Sequence, residues 1–169
     1  MHNIEQFLSE FHEKDAKLVF DFFIVFSRFE YSLKRSGFVI SPRGHAEPDW
    51  GKFIKSVENQ FNYCLSQKTD LLEAAKYIEN APPKQQIVAG NELEWKDTSF
   101  NSRFSFAKNL SFFIRIIRNN LFHGGKFPGR FEKDVARDHQ LLTNALIILN
   151  CWIELNPDVC TNFMSKIHE

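Results

Sequence analysis

An arginine and a histidine stand five positions apart in Arg118-Asn119-Asn120-Leu121-Phe122-His123-Gly124-Gly125-Lys126. Those two residue types can carry phosphoryl chemistry without a metal. A guanidinium is planar, permanently charged and forked, so it suits phosphate oxygens as negative charge builds on them. An imidazole titrates near neutral pH and can take up or release a proton. Asn119 supplies an amide between them that can orient either partner. On a continuous helix Arg115, Asn119 and His123 fall at i, i+4 and i+8, along one flank. Arg118 lies about 100° round from Asn119, towards the apolar side.

The elements that must position these residues follow from the same stretch. Leu110, Ile114, Ile117 and Leu121 repeat at i, i+4, i+7 and i+11, the mark of a stripe facing a core. They predict a helix from about Ser102 to Gly124-Gly125, where the glycines end it. His123 then falls in the last turn, where the helix dipole favours the protonated imidazole. Its plainer alternative role is to bond a helix-end carbonyl, and that of Arg118 is a surface ion pair.

Charge sharpens the picture. The chain has 169 residues, with 21 Lys+Arg and 21 Asp+Glu. Zero net charge argues against a non-specific nucleic-acid or membrane-surface binder. Yet Arg103, Lys108, Arg115, Arg118, Lys126 and Arg130 all fall between positions 103 and 131, with no acid among them. Net zero is therefore a basic segment of +6 set against a remainder of −6. Such a run is either a solvated face or an anion-binding surface.

The remaining elements also read as helices. Residues 3–14 form a short amphipathic stretch, and Asp15 is placed to cap a helix to about Ser36, ended by Gly37. That helix carries Phe20, Phe22, Phe23, Phe26 and Phe29 on more than one face, so Phe22, Phe23 and Phe26 are not all expected to point inward. After a loop over residues 41–48 that contains His45, Asp49 caps a helix to about Leu65. Thr69 opens another, stopped by Ala81-Pro82-Pro83. Residues 84–99 read as a polar connection without a period. A last long helix carries Val135, His139, Leu142, Leu146, Leu149 and Ile153 in register, with His139 expected in a core or interface. Residues 160–167 add a tail helix. No β-alternation is evident, so the fold class is all-α, a compact helical bundle of one domain over residues 1–169.

The arginine–histidine pair resembles the R-x4-6-H signature of the HEPN superfamily (higher eukaryotes and prokaryotes nucleotide-binding domains), in which a polar residue, here Asn119, follows the arginine. By chance a chain of this composition would contain Arg-Asn-x3-His only about 0.02 times. Glu30-Tyr31-Ser32-Leu33-Lys34-Arg35 is similar to the E-x3-K-R element of a subset of that superfamily. The resemblance implies a HEPN-type bundle with the motif helix and the last long helix at its centre. It further implies a homodimer with a composite site and a metal-independent endoribonuclease with RNA as partner. Such proteins serve as toxins or antiviral effectors, some held by an antitoxin protein. Arg118, His123 and Asn119 would be catalytic, supported by Glu30, Lys34, Arg35, Arg115 and Lys126. Glu30 and Lys34 are equally an i, i+4 pair that simply stabilises its helix. Two other readings stand beside the nuclease. One is a non-catalytic HEPN module that binds RNA or nucleotide. The other is a helical regulatory protein that meets partners through its phenylalanines.

Other chemistries find little support. Cys64, Cys151 and Cys160 are odd in number and far apart, which argues against disulfides and fits a cytoplasmic location. The histidines make no metal-ligand pattern, so neither metal nor cofactor is expected. No signal peptide or membrane span is visible. No Gly-rich phosphate loop or nucleophile elbow is present.

Overall fold

The computed structural model describes residues 13–122 and 135–165. Helix α1 spans Glu13–Arg35. It buries Phe22, Phe26, Phe29 and Leu33, a stripe at i, i+4, i+7 and i+11. Phe23 lies off that stripe and is exposed, as is Phe20. The expected helix over residues 3–14 falls almost wholly outside the described residues. Asp15 is not the cap, because Glu13 and Lys14 already belong to α1. The far end is closed as expected at Gly37, whose φ is +81°. The Gly37 N–H donates to the Lys34 carbonyl at 3.3 Å, and the Phe38 N–H reaches back to Leu33 at 2.9 Å. This pair of bonds is a Schellman closure, and its left-handed residue favours glycine.

Helix α2, Trp50–Gln67, starts at Asp49, whose Oδ1 accepts from the Lys52 N–H at 2.8 Å. Helix α3 spans Thr69–Asn80. Between α1 and α2, Val39 bridges Pro48 and the loop tip, with His45, is exposed.

The connection expected to be structureless is instead a β-hairpin. Strand β1, Gln85–Ala89, pairs antiparallel with β2, Glu92–Lys96, in the register Gln85↔Lys96 to Ala89↔Glu92. Gly90 turns the corner at φ +66°, the positive φ that a two-residue II′ turn requires at its first central position. Gly90-Asn91 between two five-residue runs was the available signal, but polar residues on both faces hid the alternation. The described residues are therefore mostly helical rather than all-α.

Helix α4, Phe106–Phe122, starts four residues later than expected. Asn109 explains the shift. This buried amide accepts from the Asn101 N–H at 2.8 Å and donates to the Asn101 and Ser105 carbonyls, holding the preceding turn against the helix. Leu110, Ile114, Ile117 and Leu121 are all buried, as the periodicity predicts. The expected stop at Gly124-Gly125 lies outside the described residues.

Helix α5, Val135–Leu155, packs against each of the other five described helices. Its Trp152 is fully buried and meets Trp50 edge-on at 6.3 Å and Phe61 at 5.5 Å. His139 is exposed on its first turns rather than in the core, because inward burial begins only at Leu141 and Leu142. Helix α6, Pro157–Met164, starts three residues earlier than expected, with Asn156 as its N-cap. The buried apolar side chains form one cluster. No helix among the described residues is long and apolar enough to cross a membrane.

Candidate functional site

The outer face of α4 floors an open pocket of about 230 Å³. Phe112, Arg115, Ile116 and Asn119 repeat at i, i+3, i+4 and i+7, so they share the face opposite the Leu110–Leu121 core stripe. Arg118 completes the floor. Phe26 and Glu30, one turn apart on α1, form one wall, and Gln85, the first residue of β1, contributes to another. Two motifs separated by some eighty residues of chain thus meet: the glutamate of the first faces the arginine–asparagine pair of the second.

Each charged group is held in a distinct way. The Arg118 guanidinium lies over the Phe122 ring at 5.1 Å and the Phe26 ring at 5.7 Å. Its Nη1 donates to Asn119 Oδ1 at 3.0 Å. Among the described residues no carboxylate pairs with it. A guanidinium has five N–H donors, and ring faces occupy none of them. Most of its donor capacity therefore remains for a ligand.

Glu30 does not pair with Lys34. Its Oε1 accepts from Trp50 Nε1 at 3.0 Å. Trp50 is itself fixed in the core by Phe26 at 5.6 Å and Phe29 at 5.2 Å, so the carboxylate is aimed by a rigid ring. Arg115 also lies over Trp50, at 5.9 Å, and its Nε donates to the Ser111 carbonyl at 3.4 Å. Partial desolvation pulls its pKa below the ordinary arginine value, and the negative charge of Glu30 acts against that shift. An arginine remains charged throughout the accessible pH range. The pocket therefore presents two cations and one anion, a net positive surface built on aromatic faces.

The structure separates the expected site residues into three groups. Arg118, Asn119, Arg115 and Glu30 are brought together. Lys34 and Arg35 end α1 and do not line the pocket. His123 and Lys126 lie outside the described residues. Sequence reasoning missed Phe112, Phe26, Gln85 and Trp50. The first was legible as the residue that extends the Arg115/Asn119 face by one turn. Trp50 had no local signal, because its bond to Glu30 spans the α1–α2 connection.

A second, smaller crevice lies between Pro83, Ile117, Leu121 and Leu142 and is almost wholly apolar. Among the described residues no group of three or more His, Cys, Asp or Glu is placed to hold a metal ion. Comparisons with protein-family models, curated proteins and solved structures each find no match to this chain.

Proposed function

We propose that the chain is a metal-independent endoribonuclease of HEPN type and that the Arg118 pocket is its phosphate-binding site. One observation carries the reading: Glu30 and the Arg118–Asn119 pair, singled out separately in the sequence, line the same net-positive pocket. In the proposed reaction an RNA 2′-hydroxyl attacks the adjacent phosphorus in line. The P–O5′ bond breaks as the P–O2′ bond forms. Arg118 stabilises charge on the non-bridging oxygens, and Asn119 holds Arg118 in place through its side-chain oxygen. His123 takes the hydroxyl proton or returns one to the leaving 5′-oxygen. The products are a 2′,3′-cyclic phosphate and a 5′-hydroxyl.

The proposed working form is a homodimer with a composite site. Phe20, Phe23 and Ile24 form an exposed apolar face on α1, and Phe23 reaches Phe122 beside Arg118 at 5.1 Å. In the cell such an activity fits a defence or toxin effector restrained by an antitoxin.

The test is cleavage of RNA by purified protein in chelator, wild type against His123→Ala. Removal of the acid–base group is expected to cost about 10²–10⁴-fold in rate. Equal cleavage by both proteins removes His123 from the mechanism. Binding without cleavage favours the non-catalytic module.

A further inference from the structure

The hairpin wall of the pocket is the least expected feature of the fold. Gln85 opens a hairpin that no helical-bundle reading anticipates, yet it lines the same pocket as Arg115 and Arg118. Its position is fixed from below. Asn120, next to the Arg118–Asn119 pair but on the buried side of α4, donates through Nδ2 to the Lys84 carbonyl at 2.7 Å. The two preceding residues are held as well, since Arg137 Nη2 donates to Pro82 O and Thr98 Oγ1 to Pro83 O, both at 2.6 Å. Lys84 pairs with Asp97 across the foot of the hairpin at 3.2 Å. The chain is thus tied at three consecutive carbonyls immediately before Gln85, while the Gln85 side chain stays exposed.

Phe112 contributes a different chemistry. It is 38% exposed, on the pocket face of α4, and sits six residues before Arg118, about 9 Å along the helix axis. An exposed aromatic face beside a cationic groove is how single-stranded nucleic acid is held independently of sequence. A primary amide offers one donor and one acceptor side by side, the pattern that reads a base edge.

We infer that Phe112 and Gln85 form a nucleobase subsite for unpaired RNA, with Phe112 stacking on the base and the Gln85 amide reading its edge. Asn120 is a positioning residue that acts through the Lys84 backbone. This inference rests on the RNA reading of the pocket, not on catalysis. It assigns the two halves of a nucleotide to different parts of the site: phosphate to the α4 arginines, base to Phe112 and the hairpin foot.

The test uses 2′-O-methyl homopolymers of A, C, G and U, which the proposed reaction cannot cut, with binding read by fluorescence anisotropy. Wild type is expected to rank the four, with the best about tenfold or more above the worst. Gln85→Ala should compress that ranking to within about threefold and leave the salt dependence unchanged, since no phosphate contact is lost. Phe112→Ala should weaken all four by about tenfold. Asn120→Ala should compress the ranking as Gln85→Ala does. A merely structural role for Asn120 would lower the melting temperature and leave the ranking intact. Equal binding of all four by wild type, or a ranking that survives Gln85→Ala, overturns the subsite. Failure of wild type to bind any of them overturns both the subsite and the RNA reading. Binding with ranking, but no cleavage of unmodified RNA, removes only the nuclease.

Discussion

Arg28 and Arg118 both lie half-buried at helix faces, and they are used in opposite ways. Arg28 spends its donors inside the protein. Its Nε reaches the Phe163 carbonyl at 2.9 Å, and its Nη2 reaches Asn162 O and Ser165 Oγ at 3.1 Å, as well as the Ser165 carbonyl. These acceptors close the C-terminal end of α6, where carbonyls lack helical partners and the dipole attracts a cation. Among the described residues Arg118 instead makes one hydrogen bond, to its neighbour Asn119, and rests on two rings. Burial alone does not separate a structural arginine from a ligand-binding one. What separates them is how many donors are already answered. By that criterion Arg28 ties α1 to α6, whereas Arg118 keeps most of its donors unanswered among the described residues, as the proposed phosphate site requires.

Substitution at the two sites should divide function from stability. Arg118→Ala is expected to lower RNA cleavage by about 10²–10³-fold, the usual cost of losing a charge-stabilising donor. Its melting temperature should stay within a degree or two of wild type. Arg28→Ala should do the reverse. Losing several charge-assisted bonds to backbone carbonyls is expected to cost about 2–3 kcal/mol of unfolding free energy in urea melts. Cleavage per folded molecule should remain at the wild-type level. If Arg118→Ala unfolds the chain, the contrast fails.

A smaller effect is expected at Glu30. Glu30→Gln keeps an oxygen for Trp50 Nε1 but removes the charge that faces Arg115. One carboxylate fewer near the phosphate should tighten RNA binding by about threefold at low salt, with the gain fading as salt rises. Looser binding would mean that Glu30 supports the site by its charge rather than by its place.

The least functional effect belongs to the α2–α5 contact. Burial, with Cys64 beside it, pushes the Cys151 thiol up to about 12 from an ordinary value near 9. Below about pH 9 the thiol is neutral in folded and unfolded chain alike, and its contribution to stability is fully present. Between about 9 and 12 the unfolded chain ionises first, so that contribution is lost as pH rises, by at most about 1.4 kcal/mol per pH unit. Native Cys151 should resist alkylation at pH 8, and Cys151→Ala should flatten the alkaline fall in stability.

Legibility in the sequence followed the kind of interaction involved. The Leu110/Ile114/Ile117/Leu121 stripe and the Asp49 cap are local patterns, and both were readable. Arg118 and Asn119 were readable as neighbours on one helix. Glu30 lines the pocket, but its bonding partner was not readable, because an i, i+4 pair is visible in sequence and a bond to Trp50 is not. The late start of α4 depends on one buried amide, Asn109, folding back on residues eight positions away. The hairpin escaped because both its faces are largely solvated, so period-two alternation had no apolar side to display. His139 lies outside the core for the converse reason: its spacing fits the α5 stripe, but the stripe is not yet buried within the chain at that turn.

The most direct measurement is the chemistry of the cut ends. A short RNA is incubated with the purified protein in chelator, beside copies carrying a single 2′-deoxy residue at each successive position. The proposed mechanism predicts 2′,3′-cyclic phosphate and 5′-hydroxyl termini, with cleavage abolished only where the deoxy residue removes the attacking 2′-hydroxyl, and no product from Arg118→Ala on the same timescale. Cleavage that tolerates the deoxy substitution, or that leaves 5′-phosphate ends, would contradict it.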